Sequence, residues 1–185
     1  MINVNDFKTG MTISYENNLY QVLEFQHVKP GKGAAIVKAK LKNMRTGSII
    51  EQSFNAGTKV AQGHVEKIKM QYLYESSGQY TFMNMNTYEQ VELSLSQIEN
   101  EAKFLKEGLE VLIFFYEGEM LGIELPEKVD YKIIATEPAI KGNTATNATK
   151  DATIETGMLV RVPLFIEQDE EIIVSTKDGK YVSRK

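Results

Sequence analysis

The chain has 185 residues, 42% of them hydrophobic, no cysteine, and a formal net charge of −4. This is enough for one or two globular cores, and it excludes a disulfide framework, a thiolate nucleophile and a cysteine-type zinc site. No apolar run approaches the ~20 residues of a membrane span, the opening MINVNDFKTG lacks the basic and apolar regions of a signal peptide, and a cytoplasmic protein is expected.

The sequence alternates as strands almost throughout. TISYENNLYQVLEFQHV carries a polar turn at Glu16 to Asn18. AAIVKAKLKNM sets Ile36, Lys38, Lys40 and Lys42 on one face and Val37, Ala39, Leu41 and Met44 roughly on the other. Between the two runs, KPGKG reads as a hairpin tip, because proline presets one turn angle and glycine accepts positive φ. Arg45 to Gly47 turns the chain again before SIIEQSF.

A second segment begins near Val65. KMQYLYESSGQYTFMN reads as a hairpin around Ser76, Ser77 and Gly78. One helix is expected next, capped by Ser96 with Glu99, with Ile98, Ala102 and Leu105 on its buried face and Gly108 as its stop. VLIFFYEGEMLGIEL is a further hairpin across Glu117 and Gly118. In the third segment YKIIATEP is a strand, KGNTATNATKDAT reads as a long polar loop, and MLVRVPLFI and EEIIVSTKDGKYVSR are strands, the last pair turned at Asp178 and Gly179. The pattern is mainly β: three small barrels of about 60 residues, bounded as 1–64, 65–127 and 128–185. The second and third can share a fold, although no letter-by-letter repeat links them.

Charge is unevenly placed. Net charge is +4 over 1–64, −8 over 65–127 and zero over 128–185. From His27 to Arg45 there are six cations, Lys29, Lys32, Lys38, Lys40, Lys42 and Arg45, and no acid. Salt screens charges beyond ~8 Å, so the distant acidic segment leaves this patch free to meet an anionic partner.

Catalytic constellations are missing. The two histidines, His27 and His64, stand in no metal-ligand spacing, and His64 reads as a surface or boundary residue rather than a base. The serine-hydrolase elbow and the Walker and Rossmann fingerprints are absent. PGKGAA lacks the upstream glycine and the Lys-Ser/Thr pair of a phosphate loop, and a strand follows it. No enzyme, no metal and no cofactor are expected.

The tip admits two readings. A bland one makes KPGKG a solvated turn with a solubilising lysine. A functional one makes Lys32 an ammonium projected beyond a basic hairpin, suited to contacting an RNA backbone, with Gly31, Gly33, Ala34 and Ala35 small enough to enter a narrow crevice. The run from His27 to Val60, HVKPGKGAAIVKAKLKNMRTGSIIEQSFNAGTKV, resembles the first domain of bacterial elongation factor P. KDATIETGMLVRVPLFI resembles the family's C-terminal signature, matched in order by Lys150, Ala152, Gly157, Val160, Val162, Pro163 and Ile166. Asp169 stands where that signature ends in glycine, and Asn143 stands where the family's GDTAT-type loop has aspartate. The tail from Tyr181 to Arg184 also fits.

The resemblance implies an SH3-like (KOW-like) barrel followed by two OB-fold barrels in an elongated L-shape, with one short helix in the middle domain. It implies a translation elongation factor that binds between the ribosomal P and E sites, contacts peptidyl-tRNA and relieves stalling at consecutive prolines. The tip Lys29, Pro30, Gly31, Lys32 and Gly33 would reach the peptidyl-transferase centre. The basic patch Lys38, Lys40, Lys42 and Arg45 would face RNA. The loop Asn143, Thr144, Ala145 and Thr146 would lie at the small subunit, and Tyr181 and Arg184 would contact tRNA or RNA. Implied partners are both ribosomal subunits, P-site peptidyl-tRNA and an enzyme that modifies Lys32; a monomer off the membrane is expected. The eukaryotic and archaeal counterpart lacks the third domain, so the match from Lys150 to Arg184 disfavours it. The competing class is a general OB-fold RNA-binding module or RNA chaperone, which would stack bases on exposed aromatics; Tyr72, Tyr74, Tyr80 and Phe82 alternate in strands but read mostly as core.

Overall fold

The computed structural model describes residues 1–139 and 148–185. Among them, curled sheets account for nearly all of the regular structure, so the fold is mainly β as expected. The first sheet contains β1 (Ile2–Asn3), β2 (Thr12–Tyr15), β3 (Asn18–Val28), β4 (Ile36–Asn43), β5 (Ile49–Asn55) and β6 (Lys59–Gln62), in the order β1-β6-β2-β3-β4-β5. Glu16 and Asn17 both have positive φ, 48° and 62°, which is the turn geometry whose twist matches a two-residue hairpin. The alternation of β4 is observed directly: Val37, Ala39, Leu41 and Asn43 are buried, while Lys38 and Lys42 are exposed.

Asn43, not Met44, ends that inward row, because the period of two continues unbroken to it. Its burial is tolerated because its side chain is bonded: Oδ1 accepts from the backbone N–H of Arg45 at 2.9 Å and of Thr46 at 3.1 Å. Those bonds shape the Arg45–Gly47 turn, where Gly47 takes φ 73°. Val4, Phe7, Ile13, Val22, Val37, Leu41 and Phe54 fill the core beneath, with Phe7 and Phe54 edge to face at 5.8 Å. Each fully buried side chain of this size contributes about 1.5–3 kcal/mol.

The middle sheet contains β7 (Glu66–Ser76), β8 (Gln79–Met83), β9 (Gln90–Ser94), β10 (Glu110–Tyr116) and β11 (Glu119–Glu124), ordered β11-β10-β7-β8-β9. The third contains β12 (Lys128–Thr136), β13 (Thr149–Ile154), β14 (Leu159–Pro163), β15 (Glu171–Ser175) and β16 (Tyr181–Arg184), ordered β14-β13-β12-β15-β16. Counted from its own first strand, each sheet has the order 3-2-1-4-5. The two segments therefore share a topology that their letters conceal, since the common constraint is alternation rather than identity.

Two expectations are corrected. In place of one helix over Ser96 to Gly108 there are two single 3-10 turns, Leu95–Gln97 and Ala102–Phe104, and no α-helix occurs among the described residues. The first is capped at Ser94, whose N–H donates to Gln97 Oε1 at 3.0 Å. On a regular helix Phe104 would point about 120° away from Ile98 and about 100° away from Leu105. Breaking the segment lets all three be buried, at 3%, 0% and 6% exposure respectively. Tertiary burial thus overrides the local helical pattern. The second correction concerns KGNTATNATKDAT, whose last part is strand β13. Lys150 and Ala152 face inward there, buried beside Ile154, while Thr149, Asp151 and Thr153 alternate away.

The chain divides into two compact units. One is Met1–Lys67 with Phe114–Gly122; the other is Ile68–Ile113 with Ile123–Lys185.

Candidate functional site

In the first unit, β3 and β4 pair from Tyr20↔Asn43 to Val28↔Ile36. Beyond that last pair the seven residues 29–35 project as the tip. Lys29, Pro30, Gly31, Lys32, Gly33 and Ala34 are all exposed, and Lys32 makes no hydrogen bond or ion pair among the described residues. Its ammonium is available to an outside partner. The two glycines flanking it are not equivalent. Gly33 has φ +122°, a conformation that side-chain-bearing residues rarely adopt, whereas Gly31 has ordinary φ and open space around it. Backbone geometry therefore requires glycine only at Gly33.

Below the tip, register decides what the basic strand can do. Lys38 lies between Gln26 and Ser53, and Lys42 between Gln21 and Ile49. Lys40 lies between Glu24 and Glu51, and these groups line a shallow groove on the outer face of the sheet. The acid-free run seen in sequence is thus interrupted in space by two carboxylates from neighbouring strands. Arg45 is also set apart. Its Nε donates to Glu119 Oε1 and Oε2 at 3.1 and 3.2 Å, and Nη2 donates to Oε2 at 2.9 Å. The guanidinium holds the Glu119 carboxyl below its ordinary range. Nothing local in the sequence signals this partnership, since the residues are 74 apart.

The remaining expected residues lie in the second unit. Tyr181 is half-buried against the third-sheet core. Arg184 is ion-paired to Glu170, and its guanidinium lies 5.8 Å from the centroid of the Phe165 ring. The Glu170 carboxyl is held below its usual range by the Glu167 backbone N–H and by Arg184, against some desolvation. Asn143, Thr144, Ala145 and Thr146 lie outside the described residues. Tyr72 and Phe82 are core, Tyr80 is half-buried, and only Tyr74 of the four aromatics is exposed, at 54%. A register shift between Tyr72 and Tyr74 separates their environments, so these rings form no continuous stacking platform. His64 is exposed, as expected. Among the described residues no group of three or more His, Cys, Asp or Glu is arranged to hold a metal ion, and no described helix is long and apolar enough to cross a membrane.

Curled β-sheets with a lysine exposed at a hairpin tip, and unpaired among the described residues, define a class of mainly β, small-barrel proteins. Family models match this chain in order. They are the elongation factor P KOW-like domain over residues 3–60, the elongation factor P OB domain over 65–123 and the elongation factor P C-terminal domain over 129–184. The chain belongs to the elongation factor P family and is a translation factor. It is also similar to two solved structures. One is eukaryotic translation initiation factor 5A from Methanococcus jannaschii, 24% identical, with a TM-score of 0.53, covering 67% of this chain and 93% of that one. The other is a translation initiation factor eIF-5A family protein from Naegleria fowleri, 17% identical, with a TM-score of 0.51, covering 67% of this chain and 96% of that one. At these identities the likeness is one of fold.

Proposed function

We propose that this translation factor binds the ribosome between the P and E sites, contacts P-site peptidyl-tRNA and stimulates peptide-bond formation, relieving stalling at consecutive prolines. The observation that carries the proposal is Lys32, an unpaired cation at the far end of a long hairpin. Lys32 enters an RNA crevice and steadies the acceptor end of the tRNA. Proline is a constrained, slow nucleophile, and holding the reacting ends together lowers an orientation cost without a proton-transfer group on the factor. Ribosomal RNA does the chemistry. Three barrels, 1–64, 65–127 and 128–185, divide the task. The basic first barrel faces the tRNA through Lys38 and Lys42, the acidic middle one is least committed to RNA, and the third reaches the small subunit through Asn143 to Thr146. Arg184, already held by Glu170 and Phe165, contributes a fixed rather than a searching contact, with Tyr181 beside it. The exposure of Lys32 also suits it to an enzyme that would extend its side chain.

Chemical footprinting of ribosomes carrying P-site peptidyl-tRNA tests this proposal. Protection is expected at the tRNA acceptor end and the surrounding large-subunit RNA, and Lys32→Ala should lose that protection while keeping contacts elsewhere. Equal binding to unrelated single-stranded RNA, with no preference for such ribosomes, would support the general RNA-binding module instead.

A further inference from the structure

The second unit contains a joint that its sequence does not announce. The segment after β9 leaves the middle sheet, and the side chain of Phe104 from its second 3-10 turn is buried in the third-sheet core. At 3% exposure it belongs to the same buried cluster as Val129, Tyr131, Val160 and Val174. Its ring also underlies the β15–β16 turn: a Cβ on Gly179 would stand 3.8 Å from Phe104 Cζ. Leu109 and Leu125 pack against the cluster from either side of the β10–β11 hairpin in sequence.

Polar bonds fix the same joint. The buried Tyr131 hydroxyl donates to the Phe104 carbonyl at 2.5 Å. Burial, with Glu155 and Asp130 nearby, raises the pKa of this phenol, so it stays protonated and keeps donating. Lys106 Nζ donates to the Asp130 carbonyl at 2.5 Å, lies 3.5 Å from Asp130 Oδ2 and 3.6 Å from Glu155, and stands 5.4 Å from the Tyr131 ring centroid. From the other end of the third sheet, Lys185 Nζ reaches Asp130 Oδ2 at 2.9 Å. Thr176 donates both its N–H, to the Glu127 carbonyl, and its hydroxyl, to that of Pro126.

We propose that the segment from Ala102 to Leu109 completes the core of the third barrel, so that the second and third barrels open as one cooperative body, with Phe104 as the residue that joins them. A barrel of about 60 residues buries only about 60% of its unfolded surface, and a large apolar side chain lent by its neighbour covers part of that deficit. The β15–β16 hairpin, which carries Tyr181 and Arg184, is then held in place by a residue of the middle segment. This coupling is a property of the fold and does not depend on what the tip lysine does.

Hydrogen exchange on the full-length protein across a urea series tests the coupling. In the unmodified sequence, the slowest amides of β7 and β8 and those of β12 and β13 should lose protection at the same urea concentration. Phe104→Ala should speed exchange in the third sheet on the order of a hundredfold and separate the two sheets along the urea axis. Tyr131→Phe removes only the hydroxyl, and should move the third sheet the same way by several-fold while the protein stays folded. The proposal is overturned if the two sheets of the unmodified protein open at different urea concentrations. It is equally overturned if either variant folds with third-sheet exchange unchanged.

Discussion

Asp169 shows how much a single backbone angle can explain. Its φ is +69°, and its N–H donates to the Ile133 carbonyl at 2.9 Å, so the turn requires the left-handed conformation in which glycine is at ease. Aspartate is among the few other residues that visit it without large strain, and Lys132 Nζ lies 2.9 Å from the carboxylate. The family's glycine and this chain's aspartate are two answers to one backbone requirement. Asp169→Gly should therefore leave the urea midpoint almost unchanged, whereas Asp169→Val should cost about 1–3 kcal/mol. A valine variant as stable as the parent would show that the turn relaxes freely. Gly33 and Lys32 were legible by the same turn logic, because proline and glycine act locally. The pairing of Arg45 with Glu119 was not legible, because the two are distant in sequence and surface ion pairs leave no local trace. Gly63 left no trace either, although a Cβ there would stand 2.5 Å from Leu19 Cδ1.

At the scale of elements, the strands and their turns were readable because period-two alternation and left-handed turn residues are short-range signals. The broken helix and β13 were not, because each is decided by what its side chains meet in the core. Register is the other long-range quantity, and it grades the lysines of β4. Each lysine that neutralises an RNA phosphate releases about one counterion. Lys38→Ala and Lys42→Ala should each flatten the salt dependence of ribosome binding by about one counterion. Lys40→Ala should do less, since Lys40 already lies between Glu24 and Glu51. Filter-binding titrations across a salt series measure these slopes, and an effect of Lys40→Ala equal to the other two would show that the flanking glutamates do not matter.

For the molecule as a whole, charge and contact work at different places: a cation at the tip of the first unit, unpaired among the described residues, and bonded networks inside the second unit. Asp130 carries the clearest pH signature of that joint. The hydrogen bond from Lys185, with Lys106 nearby, holds its carboxyl below the ordinary aspartate pKa. A lowered folded pKa gives stability that is complete above the unfolded value of about 3.9 and is lost as pH falls through the folded value. Asp130→Asn should therefore lower the urea midpoint at neutral pH, and its gap from the parent should close in acid; a gap independent of pH would remove the ionised carboxylate from the account. In the proposed function a translation factor acts through one lysine, Lys32. Its most direct test is the rate of proline–proline bond formation in a reconstituted translation system, with the natively purified factor and its Lys32→Ala variant at equal saturating concentration. The parent should accelerate that bond by about tenfold or more, equivalent to ~1.4 kcal/mol of barrier. The variant, with an unchanged melting temperature, should lose nearly all of the acceleration. A variant as active as the parent, or a parent that speeds proline and non-proline bonds alike, would contradict the claim.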